Sequence, residues 1–301
     1  MDVQQLRVLV SVVEEGSFTA AARRLHLTQS GVSRAISNLE YEVGMALLER
    51  SRSGVWPTQL GERVLGHARA ALSSFEAIEQ EASAFSGLET GSVKVGAFPS
   101  VCSTLLPNVI AEFEAWYPGV SVELSEGWSA EVLEWVEDHG IDVGFVGLPL
   151  QDSEARRIET FPVVRDRMVA VVAREHPLAG SSEAGELHRL EDEPFILPRG
   201  HHEAIISEIL GNAGVRPRVR FRVRDANSIL AAVGHGLGWS VVNEMSIPTT
   251  AAGVHYAPVI PAVEHEVGMA IRAALQTPPA VDAFIQFVKN KPSSGDGATS
   301  I

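Results

Sequence analysis

Two apolar helical periods lie back to back in the stretch SFTAAARRLHLTQSGVSRAISNLEYEVG, Ser17 to Gly44. Phe18, Ala21, Ala22 and Leu25 stand at i, i+3, i+4 and i+7, one face of an amphipathic helix. After the turn His26-Leu27-Thr28, the residues Val32, Ile36, Leu39 and Val43 repeat at helical spacing, while Ser30, Ser33, Arg34 and Ser37 fall on the opposite side. Two helices this close, each with a face to bury, pack on one another across a turn of about three or four residues, which is a helix-turn-helix. The second helix of that motif lies in the major groove of DNA with its first turns toward the base edges. Thr28, Gln29, Ser30, Ser33 and Arg34 are therefore the candidate DNA contacts. Spacing alone does not separate a DNA reader from any other helical hairpin, so the flanking sequence has to decide.

The flanks supply a cover and a wing. Leu6, Leu9, Val10 and Val13 give a preceding helix with one apolar face, which covers the pair. In LLERSRSGVWPTQLGERVL a polar turn at Ser51 to Gly54 and a helix start near Thr58 read as a small hairpin beside the recognition helix. Arg50, Arg52 and Ser53 then face backbone phosphate, although a solvated surface turn is the commoner fate of such a sequence. From Val64 the residues Val64, Ala68, Ala71, Phe75, Ile78, Ala82 and Phe85 step by four and three, a heptad register that calls for a partner helix. A buried core helix is the plainer reading, but it usually shows a wider stripe. The segment 64–85 spans about 33 Å as a helix, enough to hold a reading head away from the rest of the chain.

The net charge of −14 over 301 residues runs against phosphate binding, so its distribution matters. Residues 23–52 hold five arginines against Glu40, Glu42 and Glu49, a local balance of +2. The only lysines are Lys94, Lys289 and Lys291, so cationic contacts in the head fall to arginine, whose fork suits phosphate and guanine. One cysteine excludes an internal disulfide framework and a Cys-cluster zinc site. Neither a long apolar run nor a basic-then-apolar leader is present, so a cytoplasmic protein with no membrane partner is expected.

Beyond Gly91 the pattern becomes β-α-β-α-β: strand 93–98, helix Ser103 to Trp116, strand Val120 to Leu124, helix Ala130 to Glu137, strand Ile141 to Val146. A second unit comes after it, with strands at 168–173, 195–197, 219–223 and 238–242 and helices at 203–210 and 228–234. EVGMAIRA then gives a strand and PAVDAFIQFVKN a last helix, before a Ser- and Gly-rich tail. Such alternation predicts a mostly parallel sheet covered by helices, with ligands at the carboxyl ends of its strands.

This order of parts resembles the LysR-type transcriptional regulators of bacteria, from about Met1 to Lys289. The resemblance is carried by SFTAAARRLHLTQSGVSRAISNLEYEVGMALLER, TQLGERVL, the long helix, and the phrases GSVKVGAF, LLPNVIAEFEAWYPGVSVEL, GIDVGFV and AVGHGLGWSVV. Ser30, Leu48 and Leu60 depart from the residues common there (proline, phenylalanine and a small residue), and none of the three removes a DNA-facing group. The resemblance implies an all-α winged helix-turn-helix at 1–60, a dimerising linker helix at 61–87, and a two-lobed α/β effector domain at 91–289. That domain is of the type 2 periplasmic-binding-protein kind, with lobe I at 91–162 and 267–289, lobe II at 163–266, and a disordered tail at 292–301. The partners implied are double-stranded promoter DNA, a small-molecule effector and further copies of the chain, as a homodimer or homotetramer; RNA polymerase is a partner the resemblance allows. The linker contacts fall on Val64, Ala68, Ala71, Phe75, Ile78 and Ala82.

Each remaining chemistry-bearing residue has a plain structural role as its alternative. Cys102 lies near a helix start, where a thiol pKa can be lowered, but no motif orients a histidine toward it, and a lone cysteine is usually a small apolar filler. Adjacent His201 and His202 seldom converge on one metal, and GHGLG at 234–238 lacks the GxGxxG spacing. No catalytic constellation, metal site or cofactor is expected. The loop PSVCST joins a strand end to a helix start, where free N–H groups and the hydroxyls of Ser100 and Ser103 suit an anion; helix capping is the competing role. By resemblance, the second lobe faces this loop with PRGHH, 198–202, and Asn227, so that Arg199 and His201 favour a carboxylate. Ser100, Cys102, Ser103, Arg199, His201 and Asn227 form the expected effector set. A solute-binding protein or enzyme on the same scaffold, and a constitutive DNA-organising protein, are the competing readings.

Overall fold

In the computed structural model, residues 1–51, 54–85, 90–150, 158–200, 203–248, 251, 253–273 and 277–291 are described. The head opens with helix α1 (Val3–Glu15), where Asp2 accepts from the Gln5 N–H at 2.8 Å and the Gln5 side chain accepts from the Asp2 N–H at 2.7 Å. This reciprocal box satisfies two orphan donors of the first turn. Ser17 caps α2 (Phe18–Arg24) and Thr28 caps α3 (Gln29–Val43). Between them His26 takes φ 53°, a left-handed turn that lets the Leu27 N–H reach the Ala22 carbonyl at 2.8 Å. Leu9, Val12, Ala21, Val32, Ile36 and Leu39 close the core of the three helices. Val43, grouped with that face by its spacing, is instead 36% exposed in the last turn of α3.

Strands β1 (Leu48–Ser51) and β2 (Gly54–Pro57) form the antiparallel wing, and the Val55 N–H donates to the Gly16 carbonyl, tying it to the end of α1. Helix α4 (Gln59–Phe85) begins at once. A Cβ on Gly61 would lie 2.0 Å from the Leu47 carbonyl oxygen, so only glycine lets α4 pass this close to the wing. The first part of the heptad series is not a free face. Ala68 is buried in the head core together with Leu65, and Val64 and Ala71 pack against it, because three short helices need a fourth to close their core. Large apolar side chains open to solvent begin at Phe75 and Ile78, 44% and 64% exposed, with Ala82 exposed one turn on.

The rest of the chain runs β3 (Gly91–Ala97), α5 (Pro99–Thr104), α6 (Leu106–Trp116), β4 (Val120–Glu126), α7 (Ser129–Glu137), β5 (Val143–Leu148) and β6 (Ile158–Ala173). It continues through β7 (Pro194–Pro198), α8 (Glu203–Asn212), β8 (Arg218–Val223), α9 (Ala226–Gly234), β9 (Ser240–Asn243), β10 (Val254–Pro258), β11 (Glu264–Arg272) and α10 (Pro279–Asn290). The expected helix from Ser103 to Trp116 is two helices broken at Leu105, since Pro107 has no N–H to donate to the carbonyl of Ser103.

The sheet is mixed rather than mostly parallel, in the order β10-β6-β11-β5-β3-β4 with β9 also on β6. β3 pairs parallel with β4 and β5, whereas β11 runs antiparallel to both β5 and β6, and β9 and β10 run antiparallel to β6. The reason is connectivity: β6 leaves the first α/β unit and β11 returns to it without the crossover helix that parallel pairing requires. Both strands therefore cross between two cores. Phe113, Phe145, Met269 and Phe284 belong to one, while Met168, Phe195 and Trp239 belong to the other. The ladder shifts register between Val267 and Gly268, opposite Val164 and Pro162, at the crossing itself. Tail residues 292–301, expected to be disordered, lie outside the described residues.

Candidate functional site

On the head, Val32, Ile36 and Leu39 are fully buried while Thr28, Gln29, Ser30 and Arg34 are exposed and Ser33 is half-buried. The first two turns of α3 thus present a polar edge with one cation, and Arg34 makes no ion pair among the described residues. Thr28 serves as a cap as well, its hydroxyl accepting from the Gly31 N–H at 3.1 Å and lying 3.2 Å from Ser30 Oγ. Arg50 is fixed by stacking 4.1 Å from the Phe18 ring centroid, which leaves an exposed guanidinium beside α2. Arg52 and Ser53 lie outside the described residues.

In the α/β part, Ser100 is buried at the second position of α5, and its hydroxyl accepts from Asn243 Nδ2 at 3.3 Å. The same amide nitrogen donates to Asp166 Oδ2 at 2.8 Å, and the other Asp166 oxygen accepts from the Met245 N–H at 3.1 Å. Asn243 Oδ1 accepts from Ser246 Oγ at 2.5 Å. Asp166 on β6 stands opposite His265 on β11 in the ladder. This buried network joins α5 of the first core, the two crossing strands and the end of β9 in the second core. Burial raises the Asp166 carboxyl above its ordinary range and lowers the His265 imidazole, each opposed by the charge of the other.

The anion cradle expected at PSVCST is narrower than its sequence suggested. The N–H groups of Val101 and Cys102 are not free: both donate to the Phe98 carbonyl, at 3.0 and 3.1 Å. Ser103 is exposed and its hydroxyl donates to the Ser100 carbonyl, a local back-bond. Cys102 donates its thiol to the Ala97 carbonyl at 3.3 Å, and burial, with the Glu126 charge adding, pushes it up to about 11. A thiol held protonated at neutral pH is a poor nucleophile and a poor oxidation target.

On the side of the second core, Arg199 pairs with Glu203, Nε to Oε2 at 3.1 Å, at the start of α8, and its N–H donates to the Val223 carbonyl at 2.8 Å. Asn227 is exposed at the start of α9, its N–H donating to Asp225 at 3.3 Å. His201 and His202 lie outside the described residues. Gly200, at φ 118°, faces the ring of Trp128, the residue before α7, which a Cβ there would approach to 3.6 Å. Within the expected effector set, the described residues show only the local Ser103–Ser100 back-bond; toward the second core the structure joins Ser100 to Asn243 and brings Gly200 to Trp128. Asn243, Asp166 and Trp128 escaped the sequence reading, as did Ser129, which is buried and accepts from the Gly147 N–H at 3.4 Å. GWSAE shares the strand-to-helix placement of PSVCST and was findable on that ground; Asn243 was not, because its partners lie 77 and 143 residues away.

A winged head on a long helix, leading to a two-cored α/β domain, defines a DNA-binding regulator of the ligand-responsive kind. Residues 3–62 match the bacterial regulatory helix-turn-helix protein, lysR family, and residues 86–293 match the LysR substrate binding domain. The chain belongs to the LysR family of transcriptional regulators. It is 33% identical to the HTH-type transcriptional regulator YvbU of Bacillus subtilis (strain 168), over 96% of this chain and 98% of that one. It is 32% identical to AlsR of the same organism, over 80% of each. Among solved structures, the LysR family transcriptional regulator CbnR superposes with a TM-score of 0.68 at 25% identity, covering 96% of this chain and 98% of that one. Full-length CbnR in complex with its target DNA gives 0.67 at 24%, covering 96% and 99%. The chain is accordingly a regulator that binds promoter DNA under the control of a small-molecule effector, and not an enzyme. Among the described residues no helix is long and apolar enough to cross a membrane.

Proposed function

We propose that this regulator reads its operator in the cytoplasm through the first two turns of α3, as a dimer joined at the exposed end of α4, and that its effector is a small carboxylate. The observation that carries the reading is the division of α3: three fully buried apolar residues hold the helix to the head while Gln29, Ser30 and Arg34 are left toward solvent in its first two turns, with Ser33 half-buried between them. Arg34 reaches a guanine edge or a phosphate, and Arg50, Arg52 and Ser53 hold backbone in the wing. Phe75, Ile78 and Ala82 join two chains, so the operator has two half-sites. Tetramers form through the effector domains, and the bound assembly meets RNA polymerase.

The effector lies against Ser100 from one side and Arg199, His201 and Asn227 from the other, with Cys102 and Ser103 at the edge. The Arg199–Glu203 pair does not oppose this, because an ion pair between half-exposed groups is worth at most about 1 kcal/mol and yields readily to a desolvated carboxylate. A ligand bridging the cleft favours one interlobe geometry, and that differential affinity is what moves the reading heads. Footprinting titrations test the reading: Arg34→Ala weakens specific binding by about 1–3 kcal/mol with the fold intact. Unchanged affinity would remove Arg34 from the interface.

A further inference from the structure

We infer that Gln80, on the linker helix, is the positioning residue that locks that helix to the effector domain of its own chain. Gln80 is 8% exposed, a buried amide near the end of a helix whose neighbouring turns are largely open. Its Oε1 accepts from the Ala280 N–H at 3.3 Å. Helix α10 needs that acceptor: its preceding residue is Pro278, which has no capping side chain, and its first residue is Pro279, which has no N–H. The Ala280 N–H is thus the first backbone donor of α10, and the cap comes from another element 200 residues away. The Gln80 Nε2 points to the Ser92 carbonyl of β3 at a long 3.5 Å.

The approach is close. A Cβ on Gly91 would stand 2.9 Å from Ala280 Cβ and 3.0 Å from Gln80 Cδ, so a residue larger than glycine would push α4, β3 and α10 apart. One turn earlier on α4, Glu76 meets Lys94 Nζ at 3.5 Å, and the Lys94 backbone exchanges hydrogen bonds with Asp142 ahead of β5, both at 2.8 Å. Gln80 therefore fixes the phase of the linker about its axis relative to β3 and α10. Both of these belong to the core that β11 rejoins after crossing the hinge. A change in interlobe angle reaches the reading head through this joint.

The inference rests on ligand-modulated DNA binding, and amide hydrogen exchange on the full-length protein separates the two. The protein is measured free and saturated with a duplex that the wild type selects from a random-sequence pool. In the free state Gln80→Leu speeds exchange over residues 277–290 about fivefold, the factor a lost helix cap carries, whereas Gln80→Glu retains the acceptor and the protection. On adding duplex, the wild type shows protection of α3 and a changed rate over 90–97 and 277–290. Gln80→Leu and Gly91→Ala keep the first effect and lose the second. Three results overturn the inference: equal exchange in Gln80→Leu and wild type, transmission undiminished in both variants, or Gln80→Glu behaving as Gln80→Leu does. A duplex that protects no part of α3 would overturn the DNA-reading assignment and this inference with it.

Discussion

An amide nitrogen carries two protons, and Asn243 uses both, one on Ser100 of the first core and one on Asp166 of the crossing strand. Because an ionised carboxylate only accepts, Asp166 sets which way the amide faces, and Ser246 occupies the other end. Removing this side chain strands several buried partners. Asn243→Ala is therefore expected to lower the unfolding free energy by about 1–3 kcal/mol in urea titration. Asn243→Asp, which sets a second carboxylate beside Asp166, is expected to cost more. The same cluster gives a pH dependence. Burial holds the folded His265 pKa below its ordinary value, so the unfolded chain binds that proton first. Its stabilisation is present above about pH 6.5 and is lost as pH falls through the folded value. Asp166 has the opposite sign: its raised value favours the folded state at low pH, and that contribution is lost as pH rises through it. The urea midpoint should fall between about pH 7 and about pH 5, and His265→Gln should flatten that slope. A slope unchanged in His265→Gln would assign the dependence to other groups.

Local periodicity carried most of the elements, and the exceptions share a cause. α3 was readable from Val32, Ile36 and Leu39 because a helix packed on one side shows its period directly. The first half of β6 was not: IETFPVVRDR mixes charges with Pro162, and this half is held by β11, about a hundred residues away. The heptad register of α4 was legible as a register but not as a partner, since spacing cannot say that Ala68 serves the head while Phe75 faces outward. That division makes Phe75 the informative site for assembly. Phe75→Asp should leave the head's core intact and lower the sedimentation coefficient to that of a smaller species, because an unpaired charge in an apolar helix seam disfavours association. A variant that sediments as the wild type does would move the dimer contact off α4.

At the scale of the whole molecule, three parts and their order were legible, while the contacts between parts were not. The head, the linker and the α/β domain each announce themselves by a change of period. Gln80 on Ala280, Asn243 on Ser100 and Gly200 against Trp128 join residues distant in sequence, and no local pattern marks them. The anion cradle expected at PSVCST is narrowed for the same reason in miniature, the N–H groups of Val101 and Cys102 being taken up by the Phe98 carbonyl. What remains of that site is Ser100, held at the hinge by the second core, and this makes it the most direct probe of the account. The decisive measurement is fluorescence anisotropy of the full-length protein on its selected duplex, with a panel of small carboxylates, for wild type, Ser100→Ala and Arg199→Ala. At least one carboxylate should shift the wild-type affinity by about fivefold or more. Ser100→Ala and Arg199→Ala should bind the duplex as the wild type does without ligand and show no shift. Full response in both variants, or a shift produced only by uncharged or cationic compounds, would contradict a carboxylate bridging the cleft.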